Sequence, residues 1–258
     1  MEDYSFILDG MRWSYSSLNT YETCPAAFRM IYLDGYKGSQ NAFAEWGSLM
    51  HKILERYYTN QIDLFDLIDE YESDYNKYVQ HDFPPNRFVK LDEIYKRDGR
   101  EYLSNFNDPF AEYQVIGVEK RFTTKIDTHD FVGVIDLLLQ DKDDERFVIC
   151  DHKSHKFKNN KEIEKYLRQL YLYSQHVKET YDQFPKRLIF NTLRNPEPVI
   201  VDFDENKYIE AVDWARTTIE KIYKDDKFEC HSDDFFCSNL CGVNIFCEQS
   251  DKYIGEVC

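Results

Sequence analysis

The chain has 258 residues and a formal net charge of −16 at pH 7, with 42% hydrophobic and 16% aromatic residues. This composition can fill one sizeable core and argues against intrinsic disorder. The acidic balance disfavours nucleic-acid binding over most of the surface, because such binding depends on clustered Lys and Arg. The sequence also lacks a run of about 20 apolar residues and a signal-peptide pattern, so we expect a soluble, cytoplasmic (intracellular) protein without membrane contact.

The N-terminal segment begins with an expected short strand within Met1–Ser14. An amphipathic helix should follow, with Ser16 or Ser17 as its N-cap. Cys24-Pro25 interrupts this helix. A single cysteine in such a position is most simply a small buried apolar side chain.

A second helix is predicted over Phe43–Tyr58, where Gly47 and His51 share one stripe four positions apart. Judged from the helix pattern alone, His51 is a structural histidine that neighbouring residues hold, not a metal ligand. Residues 61–107 keep a helical character, with a break at His81–Asn86. This segment is predicted to be a helical insertion, with either a plain packing role or a role in covering a cleft.

The segment Val132–Lys153 has the pattern of a β-hairpin around a charged turn at Gln140–Glu145. Alternation places Asp136 on one face of the first strand, and Asp151 with Lys153 on one face of the second. If these faces coincide, the charges stand among aliphatic neighbours and need a compensating cation or substrate. Carboxylates suit Mg²⁺ or Mn²⁺, so metal-assisted hydrolysis is one interpretation, and a salt-bridged strand end is the other.

A basic loop and a convincing helix follow the hairpin. Lys156 and Lys158 lie in the loop, either as solvated surface charge or as phosphate contacts. On the helix, Gln169 and Tyr173 stand at i and i+4 and project from the same side.

The remaining elements complete an α/β domain. Further strands are predicted over Tyr113–Lys125, Lys186–Leu193 and Pro198–Phe203, with Asn195-Pro196 in the last turn and a helix over Asn206–Lys224. The chain is therefore predicted to form a central mixed β-sheet flanked by helices, as a single domain over residues 1–258.

The tail over residues 228–258 is rich in cysteine, with the spacing Cys237-x3-Cys241-x5-Cys247. In a protein expected to be intracellular, this density indicates metal binding rather than disulfides. With Cys24 the chain offers four soft ligands, enough for a [4Fe–4S] cluster or tetrahedral zinc. Cys230 is an alternative ligand, and Cys258 is expected to be incidental.

Six features in order resemble the PD-(D/E)xK superfamily and, within it, the RecB-like iron–sulfur exonucleases, including the CRISPR-associated enzymes and the AddB nuclease domain. The features are Cys24-Pro25, Gly47-x-x-x-His51, Gly133-x-x-Asp136, Asp151-x-Lys153, Gln169-x-x-x-Tyr173 and the cysteine tail. The resemblance implies a restriction-endonuclease-like fold with an inserted helical lobe and an iron–sulfur cluster that joins the N- and C-terminal segments.

The resemblance also implies residue roles. The ligands of Mg²⁺ or Mn²⁺ would be His51, Asp136 and Asp151. The catalytic set would be Asp136, Asp151, Lys153 and an auxiliary Glu119, whose alternative is a solvent-facing strand carboxylate. Substrate would contact Gln169, Tyr173, Lys156 and Lys158. The [4Fe–4S] ligands would be Cys24, Cys237, Cys241 and Cys247, although the family's first tail gap is two residues and this chain has three, which leaves zinc open.

The predicted function is a Mg/Mn-dependent DNA exonuclease acting on single-stranded ends. Such an enzyme would serve recombination, repair, phage DNA processing or CRISPR adaptation, with a helicase, a recombination protein or a CRISPR integrase as partner. One alternative is an endonuclease or prespacer-trimming nuclease with the same site. The other is a catalytically silent acidic module that docks on a DNA-processing partner, which the charge of −16 favours and the ligand set disfavours.

Overall fold

The computed structural model describes residues 3–194, 197–231 and 233–254. Its strands are β1 (Tyr113–Ile126), β2 (His129–Asp141), β3 (Phe147–Lys153), β4 (Arg187–Thr192) and β5 (Val199–Asp202). They form one sheet in the order β1-β2-β3-β4-β5. The β3–β4 pair is parallel, whereas β2–β3 and β4–β5 are antiparallel. The prediction of a mixed sheet is therefore confirmed.

Helices account for most of the remaining chain. They are α1 (Ser5–Asp9), α2 (Tyr15–Thr23), α3 (Pro25–Phe28), α4 (Ala42–Tyr58), α5 (Leu67–Tyr78), α6 (Leu91–Ser104), α7 (Asn160–Tyr181), α8 (Glu205–Lys224) and α9 (Asp234–Asn239), with a π-turn at Arg29–Leu33 and a 3₁₀-turn at Asn244–Phe246. Across the described ranges, no helix has the length and apolar character needed to cross a bilayer. The Asn195-Pro196 turn and Cys258 lie outside the described residues.

The N-terminal segment differs from its prediction in two ways. In the described part of Met1–Ser14, helix α1 occupies Ser5–Asp9 and Trp13 forms an isolated parallel β-bridge with Phe131, so the expected strand is reduced to a single bridge. The N-cap of α2 is Ser14 rather than Ser16 or Ser17. The Ser14 hydroxyl accepts a hydrogen bond from the Ser17 amide at 3.1 Å, and the Ser17 hydroxyl accepts one from the Ser14 amide at 3.0 Å. This reciprocal capping box makes Ser17 the third residue of the helix.

The described chain divides into two compact units. Unit 1 comprises Met1–Asn41, Thr123–Val132 and Ile209–Cys258, and unit 2 comprises Ala42–Phe122 and Gly133–Tyr208. The cysteine tail belongs to unit 1, and the residues of the predicted metal site belong to unit 2. A single nuclease domain over residues 1–258 stays a prediction.

The core of unit 2 is built around α4. Helical periodicity puts one apolar stripe of α4 inward, so that Trp46, Leu49, Met50, Ile53 and Leu54 are fully buried. The same cluster takes in apolar side chains of α5, α6 and the sheet. The residues between α4 and β1 thus have a packing role, one of the two roles predicted for residues 61–107. Cys150, on β3, is a buried core thiol.

The β2–β3 hairpin sets the register of the predicted site. Leu138 pairs with Ile149, and Leu137 pairs with Cys150. Opposed residues of an antiparallel pair point to the same face, and side chains alternate along each strand. Asp136 and Asp151 therefore share one face of the sheet, as the sequence predicts.

Candidate metal centre and active site

Three ligand-type side chains from three elements meet in unit 2. His51 comes from α4, Glu119 from β1 and Asp136 from β2. The His51 Nδ1 atom lies 3.6 Å from Asp136 Oδ2 and 3.7 Å from Glu119 Oε1. One ligand atom from each residue lies within 4.8 Å of the other two. This spacing lets one cation contact all three side chains.

The backbone of His152 orients two of these ligands. Its amide donates a hydrogen bond to Asp136 Oδ2 at 2.7 Å. Its carbonyl oxygen accepts a hydrogen bond from His51 Nε2 at 2.9 Å. Because a carbonyl can only accept, Nε2 carries a proton, and the neutral ring then presents the lone pair of Nδ1 toward the two carboxylates. The sequence reasoning missed His152 because its contribution comes from the main chain.

Gly47 permits a close approach between α4 and the segment that follows β3. A Cβ atom at this position would lie 3.1 Å from Ser154 Oγ and 3.2 Å from Ser154 Cβ. These separations are tight, so a side chain here would press on the segment that follows β3. The glycine thereby allows α4, and with it His51, to sit beside the end of that strand.

Glu119 adopts an unusual backbone conformation. Its φ of 46° lies in the left-handed region, although the residue falls within β1. Such a conformation costs energy for a non-glycine residue and often accompanies a functional site. The side chain is half-buried beside His51. It is not the simple solvent-facing carboxylate that was the alternative prediction.

A second group of polar side chains connects the end of β3 to α7. Lys153 Nζ lies 2.8 Å from Asp151 Oδ2 and donates to Gln169 Oε1 at 2.9 Å. Gln169 Nε2 donates to Asp151 Oδ1 at 2.9 Å and to Tyr173 Oη at 3.1 Å. The Asp-x-Lys and Gln-x-x-x-Tyr motifs, far apart in sequence, thus form one hydrogen-bonded network.

One oxygen in this network is ion-paired but lacks a hydrogen bond of good geometry. Asp151 Oδ2 is buried and accepts no hydrogen bond from any described residue. The nearby Lys153 ammonium is within ion-pair distance, but its approach lacks hydrogen-bond geometry. A buried carboxylate oxygen without a hydrogen bond is costly unless another group satisfies it. The converging His51, Glu119 and Asp136 fit a site for a divalent cation, whereas Asp151, the third predicted ligand, is not among the described residues whose ligand atoms lie within 4.8 Å of one another.

The pKa values of two ligand-type residues reflect their crowding. Burial lowers the pKa of His51, but the nearby carboxylates of Glu119, Asp136 and Asp151 outweigh it and raise the pKa to about 9. Burial and the neighbouring Asp151 charge raise the pKa of Asp136 above its ordinary value. In the absence of a cation, protons therefore occupy positions that a metal ion would take.

The two predicted lysine contacts lie outside this network. Lys156 and Lys158 are both exposed, in the loop between β3 and α7. The backbone amide of Lys158 donates to Glu162 Oε2 at 2.6 Å, which fixes the loop at the start of the helix. Lys156 lines a separate cleft. Their role in binding substrate stays a prediction.

The cysteines of unit 1 line one small cavity. It is bordered by the thiols of Cys24, Cys230, Cys237, Cys241 and Cys247. The sulfur atoms of Cys24 and Cys230 are 3.8 Å apart. No disulfide joins the cysteines that the structure describes.

The spacing of these thiols bears on the metal they suit. Zinc held tetrahedrally at Zn–S distances near 2.3 Å brings its sulfur ligands to about 3.8 Å from one another. Among the described residues, only the His51 group gathers three ligand atoms within 4.8 Å of one another. Cys24 and Cys230 are at this spacing, but no three of the described cysteines have their sulfur atoms within 4.8 Å of one another. Both the iron–sulfur cluster and its zinc alternative stay predictions.

Comparison with known proteins supplies the family. The sequence model of the PD-(D/E)XK nuclease superfamily matches residues 12–248. No curated protein matches. Among solved structures, the chain is similar to SSO0001, with 12% sequence identity, 94% of each chain covered and a TM-score of 0.37. Because the family match spans most of its length, the chain belongs to the PD-(D/E)XK nuclease superfamily.

Proposed function

We propose that this protein is a metal-dependent DNA exonuclease of the RecB-like iron–sulfur type, acting on single-stranded ends. The superfamily itself suggests metal-dependent nuclease activity with DNA as substrate. The observation that carries the proposal is the convergence of His51, Glu119 and Asp136. It is reinforced by Asp151, which shares one face of the sheet with Asp136 and is ion-paired with Lys153.

The cation would be Mg²⁺ or Mn²⁺, held by His51, Asp136 and Asp151, with Glu119 as an additional carboxylate. Hard oxygen ligands and one imidazole suit these ions. When bound, such an ion stabilises charge on a phosphate and lowers the pKa of water. The excess of carboxylates over cationic side chains at this site favours a divalent ion over further protonation.

Lys153 is the proposed catalytic cation. Its Nζ atom lies beside Asp151 and is held by Gln169 Oε1. An ammonium fixed in this way can orient a water molecule and stabilise negative charge that develops on the phosphate. Gln169 positions both Lys153 and Asp151, and Tyr173 supports Gln169 from the next turn of α7. Lys156 and Lys158 would contact phosphates further along the strand.

The proposed [4Fe–4S] cluster would be held by Cys24, Cys237, Cys241 and Cys247, with Cys230 as the alternative ligand. The observation that supports it is that the five cysteines line one small cavity. Metal analysis and visible absorbance of protein purified without oxygen test this assignment. Iron with a sulfide charge-transfer band is expected, and colourless protein loaded with zinc would overturn it.

The deciding test of the enzyme is cleavage of end-labelled linear and circular single-stranded DNA in Mg²⁺ or Mn²⁺. The native chain should shorten linear DNA from an end and leave circles intact, and Lys153→Ala should abolish this activity. Cleavage of circles would favour the endonuclease alternative. Equal products from the native and Lys153→Ala chains would remove the enzymatic function and favour the silent acidic module.

The biological setting is part of the proposal. An exonuclease of this kind would serve recombination, repair, phage DNA processing or CRISPR adaptation. The charge of −16 supports recruitment by a helicase, recombination protein or integrase, because an acidic surface approaches free DNA poorly.

A further inference from the structure

A second, unassigned cleft opens in unit 2. Its volume is about 590 Å³, within the usual range for small-ligand sites. Helix α6 and the residues that follow it supply the rings of Tyr102 and Phe106 and the amides of Asn105 and Asn107. Phe106 is buried and Tyr102 is half-buried, so Tyr102 is the ring that a ligand in the cleft can contact. An aromatic ring beside amide groups is a feature with which proteins bind an unpaired nucleobase.

The charges around the cleft are also compatible with a nucleotide. Arg194 Nε and Nη2 donate to Asp98 Oδ2 at 2.9 and 2.7 Å. Arg97 Nε lies 3.7 Å from Glu101 Oε1. Both lining carboxylates are thus paired with arginine, and the exposed Lys156 adds a further cation at the rim. The cleft carries more positive than negative side chains in a chain whose net charge is −16.

One hydrogen-bonded chain connects the cleft wall to the candidate metal centre. Asn191 Nδ2 lies 2.9 Å from Tyr102 Oη and 3.0 Å from His152 Nδ1. Asn191 is buried, so these contacts fix its orientation. The backbone of His152 in turn holds Asp136 and His51. A single side chain therefore separates the cleft from the residue that positions two proposed metal ligands.

We propose that this cleft binds one unpaired nucleotide of a single-stranded DNA substrate, with the base against Tyr102 and a phosphate near Lys156. The inference rests on the proposed nuclease function and assigns a nucleotide-binding subsite to its single-stranded substrate. A base within a duplex is stacked on both faces and paired along its edge, so it cannot enter such a cleft. The site would therefore select single strands over duplexes.

The test measures binding rather than cleavage. The background is the full chain with Asp151→Asn, in EDTA, and the probe is a fluorescent single-stranded 12-mer followed by anisotropy. Tyr102→Leu should weaken binding about tenfold, because base–aromatic stacking contributes strongly to single-strand affinity. Tyr102→Phe, which keeps the ring, should bind within about twofold of the background. Lys156→Ala should weaken binding about threefold and reduce the salt dependence.

Two controls separate binding in the cleft from non-specific binding elsewhere on the surface. Lys37→Ala removes an exposed lysine of unit 1 and should leave binding unchanged. Deoxyadenosine monophosphate should displace the 12-mer, and a duplex of the same sequence should compete poorly. Unchanged affinity in both Lys156→Ala and a folded Tyr102→Leu would overturn the proposal, as would equal affinity for duplex and single strand. Should Tyr102→Leu fail to fold, Lys156→Ala and the duplex comparison decide.

The proposed function can fail separately. If the native chain cleaves no DNA in Mg²⁺ or Mn²⁺ but the Tyr102 and Lys156 variants lose single-strand affinity as predicted, the nucleotide-binding cleft is supported and the hydrolytic function is rejected. If the native chain cleaves DNA but the Tyr102→Leu and Lys156→Ala variants bind the 12-mer as tightly as the Asp151→Asn background, only the nucleotide-binding role of the cleft is rejected.

Discussion

The backbone amide of His152 donates a hydrogen bond of 2.7 Å to Asp136 Oδ2. The carbonyl oxygen of the same residue accepts from His51 at 2.9 Å. The residue between Asp151 and Lys153 thus fixes two ligands through its main chain, while its neighbours supply a carboxylate and an ammonium. Strand β3 therefore orients two side chains of the candidate centre, although the three converging side chains themselves come from α4, β1 and β2.

Removing the imidazole should weaken metal binding. His51→Ala deletes one of the three converging ligands, and we expect Mn²⁺ affinity to fall about 10- to 100-fold. Electron paramagnetic resonance of free Mn²⁺ measures this affinity directly. His176→Ala removes a histidine that is not among the proposed ligands and should bind Mn²⁺ as the native chain does. Equal affinity in His51→Ala and the native chain would exclude His51 as a ligand.

Metal affinity should rise with pH. The pKa of His51 is raised to about 9, and that of Asp136 is raised as well, so both bind protons more tightly than ordinary residues of their kind. A cation must displace these protons, so Mn²⁺ should bind more tightly as pH increases from about 7 to about 9, with proton release on binding. Titration calorimetry in buffers of different ionisation enthalpy counts the protons. A Mn²⁺ affinity that does not change between these pH values would contradict the raised pKa values of His51 and Asp136.

Substitutions of Gln169 and Tyr173, the two α7 residues of the hydrogen-bonded network, should lower the turnover rate by different amounts. Gln169→Ala breaks the contacts to Lys153, Asp151 and Tyr173, and the turnover rate should fall about 10- to 100-fold. Tyr173→Phe removes only the hydroxyl group that contacts Gln169, so the turnover rate is expected to fall about 2- to 5-fold. Single-turnover cleavage of labelled DNA compares the two variants. A larger loss in Tyr173→Phe than in Gln169→Ala would show that Gln169 is not the positioning residue.

Iron content should depend on particular cysteines. Cys24→Ala, Cys237→Ala and Cys247→Ala should each lose iron and visible absorbance, because three thiolates hold a cluster poorly. Cys150→Ala is the matched control, since Cys150 is a fully buried core thiol of unit 2. It should retain iron despite a modest loss of stability. Iron lost in Cys230→Ala but kept in Cys237→Ala would make Cys230 the ligand instead.

Regular periodicity made much of the site predictable. Alternation along two strands placed Asp136 and Asp151 on one face, and the β2–β3 register agrees. The i, i+4 spacing put Gln169 and Tyr173 side by side, within 3.1 Å of each other. Strands repeat every two residues and helices about every 3.6 residues, so the spacing of residues in the sequence predicts which of them lie on the same side of one element.

Three features of the chain could not be read in that way. The left-handed φ of Glu119 breaks the strand alternation, so no period predicts where its carboxylate lies. His152 acts through backbone groups that every residue type has. The α2 N-cap was misassigned because Ser14, Ser16 and Ser17 offer equivalent hydroxyls, and only the reciprocal bonds of Ser14 and Ser17 distinguish them.

Mn²⁺-dependent cleavage of a single-stranded DNA, measured side by side for the native chain and Asp136→Asn, tests the proposed centre most directly. Asn is nearly isosteric with Asp, so the fold and the bond from His152 can persist while a charged ligand is lost. The native chain should cleave DNA only when Mn²⁺ or Mg²⁺ is present, and the variant should lose at least about 10²-fold in rate. Full activity of Asp136→Asn, or cleavage by the native chain in EDTA, would contradict a metal-dependent nuclease centred on these residues.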